Sequence, residues 1–453
     1  MSASEYNEKA VKAYNKGLYK DAELLFKKAI QLNSKYAEAY ANLGALYAKF
    51  KMYDKAIKLY LASIKLKPSY AGAYTNLGNA LNKTARHEEA IYFHKAAITL
   101  DSRSANHFAN CASAYKNLGR FDKAKALYEQ ALRVEPKHVN AHFDLATVLL
   151  QSGDFERGWG EYEWRFAKDE MRLHIKKYET IFSAKAYRGE DIAKGTRVLV
   201  HSEQGFGDTI MSARYLYELK RRGAVVVLFV REGLEKLFEA MECVDEVHSR
   251  EKKIPKFTLQ IPFMSLPFAL DRDAKALIQE YPYIKIKEKR TLKSKKIKVG
   301  IVWGASNSGE SYKNKVFDLR HLSALAKSEH FALYSLQMGE DSADIQKYKL
   351  TEYIEDLSGE IKDFHDTAKI INELDLIISS DTSVAHLGGA MGKKVWLVLQ
   401  RVADWRWGIN ECYSRWYPSV RLFRQHSLGD FNSAFRELYS ELEREFKVKV
   451  IDA

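Results

Sequence analysis

Two strand-to-helix turns hold the residue types from which a group-transfer site could be built. The first lies within residues 201–216, HSEQGFGDTIMSARYL. Gly205 and Gly207 permit backbone angles and close approaches that a side chain forbids. Asp208 stands where the N-cap of the following helix is expected, and the helix dipole favours a carboxylate there. Such a turn can face a phosphorylated ligand and also hold a charged base. Glu203 is a rival base, or a brace that ties the loop together by hydrogen bonds. Gly205-Phe206-Gly207 is followed by Ile210 where the dinucleotide fingerprint needs its third glycine, so that fingerprint is incomplete.

The second turn lies within residues 374–399, LDLIISSDTSVAHLGGAMGKKVWLVL. Its strand ends at Ser379; Asp381, Thr382 and Ser383 then cap a helix, with His386 one turn in. Hydroxyls and a histidine at a helix N-terminus suit a diphosphate, although Asp-Thr-Ser is also an ordinary capping cluster. In Asp404-Trp405-Arg406-Trp407, either tryptophan could stack on a base with Arg406 near phosphates; the alternative is two tryptophans packed under a loop. Trp303 and Gly304 end a further apolar strand, and Gly304-Ala305-Ser306 with Asn307-Ser308-Gly309 makes a polar loop suited to a ligand edge. Asp271-Arg272-Asp273 mimics a metal-binding DxD but reads as surface carboxylates. His87, His94, His107, His138 and His142 fall at helical positions and read as packing or surface residues rather than metal ligands.

Alternating strands and helices position these turns. Strands are expected at 198–201, 224–230, 298–303, 331–336, 374–379 and 394–399. Helices are expected at 209–222, 234–241, 321–328, 363–373 and 382–391, with short apolar segments at 258–261 and 262–270. Continuous apolar strands between helices imply parallel sheets covered on both faces. Two such halves make a cleft, with ligands beyond the C-terminal strand ends. Between them, residues 285–298 hold eight Lys/Arg against one Glu, a run that reads as a solvated linker.

The first 170 residues repeat. Ala22, Ala56, Ala90 and Ala124 stand 34 apart, as do Ala29, Ser63, Ala97 and Ala131, and Leu32, Leu66, Leu100 and Val134. Tyr40, Tyr74 and Phe108 keep the same step, as do Leu43, Leu77 and Cys111, and Pro68 and Pro136 close two units. Small residues at two points and large ones elsewhere mark closely stacked helix pairs. A 34-residue period is the tetratricopeptide pattern, and AEAYANLGALYAKFKMYDKAIKLYLASIKLKPSY (37–70) resembles that family throughout. The first unit has Lys9-Ala10 in place of the usual Leu-Gly pair and reads as a cap. A fifth unit turns aromatic in GDFERGWGEYEWRF, where Gly158 replaces the expected Ala. Trp159, Tyr162 and Trp164 there read as apolar anchors docking the superhelix on the next domain, a surface for ligands being the alternative. Stacked helix pairs form a groove for a peptide or protein; a rigid spacer or dimerisation arm is the alternative.

With 453 residues, 46% apolar and 29% charged, the chain has material for several cores. Net charge is +13, spread over both halves, and the basic run lacks the interleaved aromatics a nucleic-acid site wants. Cys111, Cys243 and Cys412 form no CxxC pair, which fits a reducing compartment. No apolar run is long enough to span a bilayer and no secretory signal is visible, so a cytoplasmic location is expected.

From about residue 197 to 425 the chain resembles the heptosyltransferase-like glycosyltransferases (family 9, GT-B architecture). More narrowly, it is similar to bacterial proteins that fuse tetratricopeptide repeats to that domain. The matching runs are GDFERGWGEYEWRF, HSEQGFGDTIMSARYL, KVGIVWGAS, the 374–399 stretch, DWRWG and SRWYPSVRLFRQ. The resemblance implies an α-solenoid (1–170), a connector (171–195) and an acceptor-side Rossmann-like domain (196–285). A linker (286–296), a donor-side Rossmann-like domain (297–430) and a C-terminal helix and tail (431–453) then follow. It implies metal-independent transfer from a nucleotide sugar, with no cofactor, Asp208 as general base and Glu203 as its rival. Donor contacts would come from Gly205, Gly207, Trp303, Gly304, Lys315, Asp381, Thr382, Ser383, His386, Trp405 and Arg406. Repeat-fused members resemble flagellin glycosyltransferases acting on Ser/Thr, so an acceptor protein in the repeat groove is the expected partner, with an oligomer left open. The chain departs from the family at Lys315-Val316, where many members have Arg-Ser, and at Ser383, where glycine is frequent. The rivals are a scaffold retaining the fold without chemistry, and a transferase acting on lipopolysaccharide or another glycan.

Overall fold

The computed structural model describes residues 1–271, 281–305 and 315–450. It divides into two compact units, Met1–Leu149 and Leu150–Ala453, the division falling inside the helix Val139–Ser152.

The first unit is a run of antiparallel helix pairs: Ala3–Asn15 with Tyr19–Leu32, Ala37–Lys49 with Tyr53–Leu66, Ala71–Lys83 with His87–Leu100, and Ala105–Asn117 with Phe121–Val134. The small residues at the repeat step are where neighbouring helices come closest: Ala22, Ala56, Ala90 and Ala124 are fully buried, as are Ala29, Ser63, Ala97 and Ala131. Large rings fill the opposing slots. Tyr60 lies against Gly44 and His94 against Gly78, so closely that a Cβ on either glycine would meet the ring at under 3 Å. The turn within each pair carries a left-handed residue, Gly17, Lys51, Ala85 and Gly119, again 34 apart. Only glycine takes that conformation without strain. Ser2 caps the first helix, its Oγ accepting from the Glu5 N–H while Glu5 accepts from the Ser2 N–H, which suits a terminal cap.

The second unit begins twenty residues before the expected boundary at 170. The helix Phe155–Tyr162 and the 3-10 turn Glu163–Ala167 belong to it, and Trp159 and Tyr162 are in its core. Among the described residues, ten strands form two all-parallel sheets. The first has the order β3-β2-β1-β4, built from β1 (Arg197–His201), β2 (Val225–Val230), β3 (Glu246–Ser249) and β4 (Leu259–Pro262). The second has the order β10-β9-β8-β5-β6-β7, from β5 (Ile297–Val302), β6 (Phe331–Ser335), β7 (Ile354–Asp356), β8 (Leu376–Ser379), β9 (Val395–Leu399) and β10 (Val420–Arg424). The central strands are buried on both faces, as their unbroken apolar runs require. In each sheet the chain reverses direction of winding beside its first strand, between β1 and β4 and between β5 and β8, where a crevice opens.

One expectation is corrected and another refined. The helix expected at 209–222 starts earlier, at Phe206, and passes through a 3-10 turn at Ala213–Tyr215. Side chains claim the carbonyls there: Arg214 Nε donates to the Met211 carbonyl at 3.0 Å and Tyr283 to that of Ile210 at 3.0 Å. The basic run at 285–298 is largely exposed, as a solvated linker should be, but it is also tied along its course to residues on both sides of and within the helix Phe364–Ile371. Asn372 donates to the Ile286 and Glu288 carbonyls, Arg290 pairs with Glu360, and Lys289 with Glu373. No helix among the described residues is long and apolar enough to cross a membrane.

Candidate functional site

β1 feeds residues 202–205 into the helix Phe206–Ser212. Gly205 is its N-cap and Asp208 its third residue, so the carboxylate sits inside the first turn and not at the cap expected from sequence. Asp208 Oδ2 reaches back to the Gly205 N–H at 3.0 Å, half of a capping box, and its other oxygen accepts from Arg406 Nη2.

Arg406 sits in the 3-10 turn Trp405–Trp407, which Asp404 caps by accepting from the Arg406 N–H at 3.2 Å. Its guanidinium also pairs with the Asp404 carboxylate and lies 4.3 Å from the Trp405 ring centroid. Burial works against this charge, yet Asp208 and Asp404 together hold its pKa well above the ordinary arginine value. Burial likewise opposes the Asp404 charge, but Arg406 and Lys315 outweigh it and its pKa lies below the usual range. Lys315 Nζ meets Asp381 Oδ2 at 3.0 Å, and the Asp381 charge raises the lysine's pKa. The other Asp381 oxygen accepts from Trp407 Nε1 at 2.8 Å. Asp208, Arg406 and Asp404 therefore form an ionic chain, and Lys315 with Asp381 forms a further ion pair whose lysine charge acts on Asp404.

His386 lies within the helix Ser383–Ala390, buried, with Nδ1 2.8 Å from the Tyr417 hydroxyl and its ring 4.9 Å from that of Trp407. Burial pushes its pKa down to about 4, so it is neutral at pH 7. Gly207 runs directly against this ring: a Cβ there would lie 2.7 Å from His386 Cδ2. Glycine is needed at 207 for that approach rather than for an unusual backbone angle.

Beside this chain a cavity of about 610 Å³ opens at the C-terminal strand ends of the second sheet. Gly304 lines it behind β5, Gln337 and Asp341 behind β6, and Thr382 and Ser383 behind β8, with Phe206 opposite. Thr382 is the N-cap of Ser383–Ala390 but makes no side-chain cap bond, its Oγ1 being 3.0 Å from Ser379 Oγ. The first-turn N–H groups of that helix therefore have no side-chain cap from Thr382. Gly304 is fixed by its N–H donating to Gln337 Oε1 at 2.7 Å and by its carbonyl accepting from Ser380 at 3.0 Å.

Four residues expected at a ligand lie elsewhere. Glu203 has a side chain 0% exposed and pairs with Arg165 at 3.1 Å, so it braces the loop instead of meeting an acceptor. Burial, partly offset by Arg165, pushes its pKa up to about 7. Trp303 is buried in the core of the second sheet. Trp405 is enclosed by Trp159, Tyr162 and Trp416, all edge-on within 6 Å, and keeps no face for a base. Trp407 is buried as well, between His386 and Asp381. Ser306 to Gly309, Arg272 and Asp273 lie outside the described residues. Arg165 and Tyr417 were not singled out from the sequence. Both sit in runs that carry the family resemblance, which was the available signal.

Four tetratricopeptide models match the chain, at residues 25–58, 52–84, 71–103 and 112–162, so the helix pairs of the first unit are tetratricopeptide repeats. No curated protein matches the sequence. Solved structures similar to this chain include MamA, at 22% identity, covering 37% of this chain and 97% of MamA with a TM-score of 0.32. They also include a thermophilic TPR protein of Thermus thermophilus, TTC0263, at 23% identity, covering 40% and 98% with a TM-score of 0.34. A third is YrrB, described as a TPR protein with an unusual peptide-binding site, at 19% identity, covering 38% and 90% with a TM-score of 0.31.

Proposed function

We propose that this protein is a glycosyltransferase of GT-B architecture that moves a sugar from a nucleotide sugar to a Ser or Thr hydroxyl of an acceptor protein bound by its repeats. The observation that carries this reading is the cavity behind β5, β6 and β8, where the uncapped start of Ser383–Ala390 offers N–H groups to a donor phosphate. Protein binding is the usual work of tetratricopeptide repeats, which supports a protein acceptor over a lipid or glycan one. In the transfer, Asp208 takes the proton of the acceptor hydroxyl as its oxygen attacks the anomeric carbon, and the bond to the donor phosphate breaks. Lys315 and the open helix start stabilise the charge that builds on the leaving phosphate. Asp208 must leave Arg406 to act as the base, and Arg406 is then free to turn to the phosphate.

The Asp208–Arg406 ion pair is also the observation that favours a second reading, a scaffold that keeps the fold without the chemistry. Incubating the protein with a panel of nucleotide sugars and lysate, and following acceptor mass, separates the two. Transfer lost in Asp208→Ala supports the enzyme; equal labelling by wild type and variant refutes Asp208 as the base, and no labelling from any donor favours the scaffold.

A further inference from the structure

Residues 155–167 close the fifth repeat, the tetratricopeptide match running to residue 162, and they carry a second task within the second unit. Their helix and 3-10 turn touch both loops that carry the ionic chain. Toward the first loop, the Tyr162 hydroxyl and the Gln204 side-chain amide lie 3.0 Å apart. Arg165 Nη2 donates to Glu203 Oε1 at 3.1 Å and to Ser265 Oγ at 2.6 Å, while Ser265 donates to Glu163 at 2.9 Å. Arg165 Nη1 pairs with Glu163, so that four side chains join in one network. Toward the second loop, Trp159 and Tyr162 pack edge-on against Trp405 at 5.5 and 5.9 Å.

Glu203 and Gln204 directly precede Gly205, whose N–H holds Asp208, and Trp405 directly precedes Arg406. One short segment thus grips the chain on either side of the Asp208–Arg406 pair. Its grip is firm because Arg165 is almost fully buried between two carboxylates; breaking such a group leaves unpaired charge in a dry interior. We propose that residues 155–167, through Arg165 and Tyr162, are a positioning element that sets Asp208 against Arg406 for the transfer reaction. The inference takes its meaning from the proposed reaction, but the placement itself can be read without a substrate.

Amide hydrogen exchange on the full-length chain tests it, comparing wild type with Arg165→Met, Arg165→Lys and Tyr162→Phe. Arg165→Met is expected to speed exchange about tenfold or more at residues 204–209 and 405–407, with β1 and β2 unchanged. Arg165→Lys, which keeps the charge, is expected to restore part of that protection. Tyr162→Phe keeps the ring and the fold, and is expected to speed exchange at 204–206 alone. Unchanged exchange at 204–209 in both Arg165→Met and Tyr162→Phe overturns the proposal, as does an equal rise throughout β1 and β2, which would mark general destabilisation. Failure of every donor to be transferred, with this local response intact, sinks the proposed reaction and leaves the placement standing.

Discussion

His94 offers a sharp test of how the repeat unit is built. It occupies the slot that Phe26, Tyr60 and Tyr128 fill in the other pairs, fully buried, with neither ring nitrogen hydrogen-bonded. Burial, helped by His107, lowers its pKa from 6.5 to about 4. The unfolded chain therefore binds a proton more readily than the folded one, and stability is full above about pH 6.5 and lost as pH falls toward 4. At pH 5 the difference amounts to about 2 kcal/mol, taking 1.36 kcal/mol per pKa unit. Replacing His94 with Phe should abolish this increment, and should also stabilise the unit at pH 7.5 by about 1 kcal/mol, because two unpaired buried nitrogens disappear. The slot tolerates a ring, since Tyr60 already lies against Gly44 as His94 lies against Gly78. Urea unfolding separates the units spectroscopically. The first tryptophan is Trp159, so helical circular dichroism reports both units while tryptophan fluorescence reports only the second. The expected result is a circular-dichroism transition that moves to lower urea between pH 7.5 and 5 in wild type and much less in His94→Phe, with the fluorescence transition of the two proteins identical at each pH. An equal acid shift in both proteins would refute the assignment to His94.

Further outcomes follow from single contacts. Gly207→Ala places a Cβ 2.7 Å from His386 and should destabilise the second unit by about 1–3 kcal/mol, read by tryptophan fluorescence in urea. Glu203 has a folded pKa raised to about 7, so its contribution is present below the unfolded value near 4.5 and lost as pH rises through 7. Glu203→Gln should therefore flatten the fall in second-unit stability between pH 5 and 8.5. Ala85→Gly removes left-handed strain at φ 60° and should raise the circular-dichroism midpoint, by up to about 1 kcal/mol.

The repeat was legible in sequence because each helix pair contacts only its neighbours, so the same small residue must return every 34 positions. The strands β1, β2, β5, β6, β8 and β9 were legible because burial on both faces forces long apolar runs. β3, β7 and β10 were missed: they lie at sheet edges and run only three to five residues, with polar residues such as Glu246, Glu355 and Arg421 among them. At the site, the pairing of Asp208 with Arg406 spans 198 positions, and no local pattern reports it. The burial of Glu203 depends on Arg165, which stands just past the last repeat and 38 positions from its partner. Trp405 could not be told from a stacking surface, because Trp159, which helps enclose it, is far away along the chain.

The central claim is that the cavity behind β5, β6 and β8 holds a donor phosphate at the open start of Ser383–Ala390. Calorimetric titration of nucleoside mono- and diphosphates into the full-length wild type and Ser383→Glu tests it most directly. A carboxylate at the first helical position favours the helix itself, so the variant should fold while repelling an anion, weakening binding about tenfold. The account predicts that one nucleotide binds the wild type and binds Ser383→Glu about tenfold less tightly. Binding of equal strength to both proteins, or of no nucleotide to the wild type, would contradict it.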